Sequence, residues 1–208
     1  LIHPVCEAFI EGAAQMGIPR NPDYNSGDQA GTGYFQRTVH KGYRYSAAKA
    51  FLYPARKRPN VDIRTNAQVT EIIFDGTHAN GVRYHQGKQG SSTINVHSRR
   101  EVILCAGALN TPKLLQLSGI GPAKVLGDLG IKVRADLCGV GNNLRDHYGV
   151  RMVSQLNGIK TFNSMAQGLP LGLEIAKWLL GRPSLLSVSP SLTHLFWKSS
   201  DALETPDL

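Results

Sequence analysis

Three short runs that alternate apolar and polar residues, near 69–74, 80–86 and 93–98, follow one another with only turn residues between them. A period of two is strand patterning, and neighbouring runs joined by Asp75-Gly76 and by 87–91 pair most directly as an antiparallel meander. Residues 61–65, VDIRT, alternate in the same way and predict a strand ahead of it. Directly after the meander, 100–105 reads REVILC, whose apolar second half suits a buried parallel strand, and the run stops at Ala106-Gly107-Ala108. A meander that feeds a parallel strand puts the chain in the α/β class.

The flanks carry helical spacing. Val5, Ala8, Phe9, Ala13 and Met16 share one face, so 4–16 reads as an amphipathic helix stopped by Gly17 and Pro19. A turn-rich loop over 19–32 leads to a short strand at 33–38. Ser46 then stands at an N-cap ahead of a second helix expected to end before Pro54. Beyond the parallel strand, Asn110 or Thr111 caps a helix over 112–118 with Pro112 in its first position, where no amide donor is lost. Gly119 and Gly121 break it before another helix at 122–129. Further strands are expected at 131–135, 148–156 and 192–197, a glycine-rich loop at 137–147, and an apolar helix at 169–180.

With 41% hydrophobic and 18% charged residues and no run of about 18 apolar residues, both disorder and a membrane-spanning helix are excluded as readings. Cys6, Cys105 and Cys138 form no CxxC pair, so neither a disulfide framework nor a zinc site is indicated. A reducing compartment, the cytoplasm, is the expectation, with peripheral membrane association left open. The amino terminus has neither an initiator Met nor a basic stretch before an apolar one, and it reads as a cut. The net charge of +8 is scattered, and by itself selects no partner.

Gly31-Thr32-Gly33, Gly119-Ile120-Gly121 and Gly139-Val140-Gly141 all lack the third glycine of GxGxxG, and there is no GxxxxGK[ST], HExxH or GxSxG. Residues 114–129, LLQLSGIGPAKVLGDL, are compatible with a helix-hairpin-helix element whose turn amides would hold DNA phosphates. Asp146-His147 pairs a carboxylate with an imidazole, but neighbours in a loop more often serve local hydrogen bonding. His40, His78, His85, His97 and His194 show no ligand spacing and read as surface residues, and no metal site is expected.

A longer pattern absorbs most of these pieces. Residues 101–122, EVILCAGALNTPKLLQLSGIGP, closely resemble the second signature of the glucose-methanol-choline (GMC) oxidoreductases, and GVGNNLRDH at 139–147, GYRYSAAKAFL at 42–52 and NAQVT at 66–70 resemble segments of that family in the same order. The resemblance implies a partial Rossmann-like FAD-binding domain with a β-meander at 54–147, flanked by parts of an α+β substrate-binding domain at 1–53 and 148–208. It implies that Ala106 and Gly107 lie against FAD and that Val69 presents its backbone to the adenine. Read from strand position alone, Val69 is an ordinary buried residue. The implied reaction of the parent enzyme is oxidation of a primary alcohol or choline-like substrate to an aldehyde by hydride transfer to flavin. A hydroxynitrile lyase of the same family and the DNA-binding hairpin are the alternatives. No position here matches the family's catalytic His or its GxGxxG unit, so no catalytic residue is transferred. The expected partners are the alcohol substrate and the remainder of the enzyme, with self-association through unpaired strand edges.

Overall fold

A computed structural model describes residues 2–87, 92–189 and 191–208. They form two compact units, a terminal one built from 1–61 together with 152–208 and a central one from 62–151.

The terminal unit opens with α1 (Pro4–Gln15). His3 caps it, its Nδ1 accepting from the amide of Val5, and Cys6, Ile10 and Ala13 are its buried face. The first strand, β1 (Gly31–Tyr34), begins two residues before the expected one and ends earlier. A tight hairpin follows from β2 (Val39–His40) and β3 (Tyr43–Arg44), turned by Lys41 and Gly42, whose φ values of +51° and +79° suit a two-residue primed turn. The next helix does not stop before Pro54. Ser46 Oγ accepts from the amide of Lys49, the chain winds as a π-turn over Ala48–Leu52, and α2 (Tyr53–Ala55) carries the proline. The amide of Tyr53 reaches back to Ala48, so the wide turn precedes the residue that has no amide to give.

The meander is present in the central unit as β4 (Ala67–Asp75), β5 (His78–Gln86) and β6 (Thr93–His97), antiparallel in that order. Gly76, at φ +57°, opens the two-residue turn between β4 and β5. Of the expected 87–91 turn, 88–91 lie outside the described residues. Two expected strands are absent from the ladders: 61–65 and 100–105 have no regular secondary structure and pair with no strand among the described residues. In the second of them exposure alternates, half-buried Val102 and Leu104 lying between exposed Glu101, Ile103 and Cys105.

After them α3 (Gly107–Leu117) starts five residues earlier than the proline predicts, and Pro112 sits inside it. Gly107 makes the early start possible, because its φ of +86° is one that L residues with a side chain rarely adopt. A parallel two-residue ladder joins β7 (Ile120–Gly121) to β8 (Ala135–Asp136) around α4 (Ala123–Asp128). The 131–135 strand is therefore reduced to its end, since β7 is too short to pair more of it. The expected strand at 148–156 is likewise without regular secondary structure, exposed, and with no partner among the described residues.

The chain returns to the terminal unit through α5 (Phe162–Met165), α6 (Gly168–Leu179), a 3₁₀ turn at Leu185–Ser187 and β9 (Thr193–Phe196). β9 pairs antiparallel with β1, and the buried hydroxyl of Thr32 donates to the carbonyl of His194 at 2.8 Å. His194 is not a surface residue: it is 3% exposed. Its ring is packed by Tyr24, Phe35 and Phe196 at centroid distances of 4.6, 5.3 and 5.3 Å. In the central unit the core is Ile72, Tyr84, Leu114 and fully buried Leu126.

Candidate functional site

The central unit brings β4 and α3 together through one hydroxyl. Ser118, just past the end of α3, donates to the carbonyl of Leu114 at 2.7 Å and accepts the amide of Ile72 at 2.9 Å. Leu114 is buried at this contact. A bulge lies just upstream in β4, where Val69 opposes Tyr84 but Glu71 opposes Arg83. Thr70 is the extra residue, and such bulges re-aim the side chains beside them.

Around this junction are two cavities. One, of about 660 Å³, is lined by Val69, Thr70, Ala106, Asn110 and Lys113, with Leu114 and Leu117 beneath. The other, of about 500 Å³, is lined from β5, β6 and the 101–105 segment and is mostly apolar. Val69 and Ala106 line both. Gly107 follows Ala106 as the first residue of α3, and a β-carbon built on it would meet nothing within 4 Å, so the backbone there is open to a flat neighbour. No side chain caps α3. Its first amides therefore lack intrahelical partners, a helix end that favours an anion.

Lys113 and Thr70 were not singled out by the sequence, and Asn110, expected with Thr111 as a cap, instead lies inside α3, whose cap position is Ala106. Spaced from Ala106 at i+4 and i+7, Asn110 and Lys113 fall on one face of α3, but a helix begun at Pro112 leaves 106–111 off that face. The larger of the two cavities has no imidazole or carboxylate in its lining, so its residues can bind and orient but offer no general base of those kinds, whereas the smaller one has His97 and Glu101 in its lining.

The glycine-rich segment after β8 is held against α3 by Gln116, whose Nε2 donates to the carbonyl of Val140 at 3.1 Å. Gly141 sits at φ +83°, and a β-carbon there would lie 2.5 Å from the same Nε2. Asp146 and His147 make no side-chain pair: the backbone amide of His147 donates to the Asp146 carboxylate at 2.8 Å, and both are exposed. The Gly119-Ile120-Gly121 turn is not an open phosphate hairpin. Its Gly119 amide is bonded to the Gln116 carbonyl, its Gly119 carbonyl takes the amides of Arg134 and Ala135, and Ile120-Gly121 are in the ladder with β8. Among the described residues no cluster of three metal-ligating side chains occurs, and no helix is long and apolar enough to cross a membrane.

Residues 1–149 match the protein family described as GMC oxidoreductase. The oxygen-dependent choline dehydrogenase of Burkholderia ambifaria (strain MC40-6) is 46% identical over 147 residues, covering 70% of this chain and 25% of that protein. The protein of the same name from Staphylococcus xylosus is 36% identical over 207 residues, 99% of this chain and 36% of its own length. Among solved structures, an FAD-dependent oxidoreductase from Chaetomium thermophilum superposes with a TM-score of 0.81 at 28% identity, over 94% of this chain and 35% of that one. The chain thus spans between 25% and 36% of the length of these relatives.

Proposed function

The chain belongs to the GMC oxidoreductase family, and from that premise we propose that its central unit supplies part of the FAD site of an enzyme that oxidises a primary alcohol or choline-like substrate. The observation that carries the reading is that Val69 and Ala106, distant in sequence, line the same cavity beside an unobstructed Gly107. FAD, when bound, supplies the acceptor for hydride. The residues of this chain do the holding. Val69, Leu114 and Leu117 offer apolar surface to a planar ring, the open backbone of Ala106 and Gly107 allows close approach, and Asn110, Lys113 and the uncapped start of α3 suit polar and anionic groups. The terminal unit is assigned to the substrate side. Among the named relatives, those from Burkholderia ambifaria and Staphylococcus xylosus carry choline in their names, which supports a choline-like alcohol.

FAD fluorescence, titrated with the chain, tests the assignment. Saturable quenching, competed by AMP and weakened by about tenfold or more when Ala106→Trp fills the cavity, is the expected result, a loss of affinity of about 1.4 kcal/mol. Quenching that is absent, or indifferent to Ala106→Trp, overturns the assignment of these residues to the cofactor.

A further inference from the structure

Between Asp28 and Asp62 the chain has seven basic residues and no acidic one. Three of them, Arg37, Lys41 and Arg44, lie on or beside the β2–β3 hairpin of the terminal unit. A cleft of about 450 Å³ opens there, with Arg37, Thr38 and Arg44 on one side and Ser187 and Ser189 on the other. No Asp or Glu lines it. Among the described residues neither guanidinium makes an ion pair or a side-chain hydrogen bond. Arg37's charge is felt instead at the Cys6 thiol, where it opposes the larger upward push of burial. Two forked donors with no anion are an unused recognition surface, because a guanidinium presents its N–H groups in the plane that carboxylate and phosphate oxygens match.

Both walls are fixed before any ligand arrives. The hairpin is braced from α6: the Trp178 indole donates to the carbonyl of Gly42 at 3.1 Å, and its ring lies 4.9 Å from that of Tyr43. The opposite wall is tied by Ser184, whose hydroxyl donates to the backbone carbonyl of Glu174 at 2.7 Å, while the Glu174 carboxylate accepts the amide of Leu185 at 2.8 Å. That carboxylate, packed behind the wall, is already paired with Lys177. We propose that this cleft is an oxyanion-binding site, taking the carboxylate or phosphate group of a small ligand between Arg37 and Arg44. Its chemistry follows from the terminal unit alone and disfavours a quaternary ammonium group at this position, which the two guanidinium charges would repel.

Trp178 is a reporter built into the wall, and a Trp197→Phe background makes it the only indole. Its emission is titrated with potassium phosphate and with sodium propionate at constant ionic strength, potassium chloride serving as the reference. A saturable change with either oxyanion and none with chloride is expected. Arg37→Gln and Arg44→Gln should each raise the half-saturation concentration about tenfold, the loss of one charge-assisted hydrogen bond. A response to phosphate alone identifies a phosphorylated ligand, and a response to propionate identifies a carboxylate. Where far-UV circular dichroism shows that Arg44→Gln disturbs the hairpin, Arg37→Gln and Arg44→Lys are compared instead. A response that chloride reproduces, the lack of any response, or folded variants with unchanged half-saturation overturns the proposal.

Discussion

His194 shows how little a side chain's identity says about where it goes. The strand at 192–197 could be read locally, but a strand alone does not say which of its faces is covered, and it is the pairing of β9 with distant β1 that encloses the ring among Tyr24, Phe35 and Phe196. Burial holds its pKa below the ordinary 6.5, with the nearby backbone of Asn21 opposing that shift. The unfolded chain therefore binds a proton here more readily than the folded one. Above about pH 6.5 the ring is neutral in both states and adds no pH dependence, and stability is lost as pH falls below the unfolded value toward the lower folded one. Thermal midpoints recorded at pH 7.5 and 5.5 should drop on acidification, and His194→Phe, which keeps the ring and discards the titration, should shrink that drop. Acid lability that is the same in His194→Phe would assign it to other groups. Val69, Ala106 and Gly107 differ from His194 in that the long signature around them was readable. The resemblance set all three beside one cofactor, but the residue patterns alone did not, because the approach of Val69 to Ala106 depends on a bulge at Thr70 and a helix start at Gly107 that they do not announce.

Elements were legible where their partners are neighbours in the chain. Each strand of the meander pairs with the next one along, so alternation and turn chemistry together were sufficient. The 61–65 run has the same alternation and 100–105 has the apolar second half of a buried strand, but a strand is defined by a ladder, and among the described residues they have none. For α3, the preference of proline for the first turn misplaced the start, although the helix keeps Pro112 inside and forgoes one hydrogen bond. The joint between α3 and β4 rests on the Ser118 hydroxyl, 4% exposed, which is donor to one element and acceptor for the other. Ser118→Ala would leave the amide of Ile72 without its acceptor in a buried setting, at a cost of about 1–3 kcal/mol. Urea unfolding followed by circular dichroism should show a lower midpoint at unchanged slope. Amide exchange should accelerate at Ile72 before it does so in β6. An unaltered midpoint would mean that water replaces the hydroxyl and that the joint is held by Leu114 alone.

For the whole molecule, surface decides. The chain exposes 16234 Å², whereas a compact chain of this mass would expose about 9,500 Å², and two separate compact units of half the mass about 11,500 Å². Large apolar side chains contribute to it. Tyr148 and Val153 are 96% and 93% exposed, and Ile103, Leu169, Leu179 and Leu180 are also open to solvent. Monomeric soluble proteins rarely keep contiguous apolar patches beyond a few hundred Å², because covering them is worth about 25 cal/mol for each Å² removed from water. Burying even 1,000 Å² of it therefore offers about 25 kcal/mol before the cost of association, enough to drive contact between copies at modest concentration. Sedimentation velocity across the micromolar range should give a weight-average coefficient that rises with concentration. Charged replacements at two adjoining exposed positions, Met152→Glu with Val153→Lys, should lower it toward the monomer while leaving the far-UV spectrum in place. A single monomeric boundary throughout the range would show that this surface is tolerated in water, and the unpaired segments would then carry no drive toward a partner.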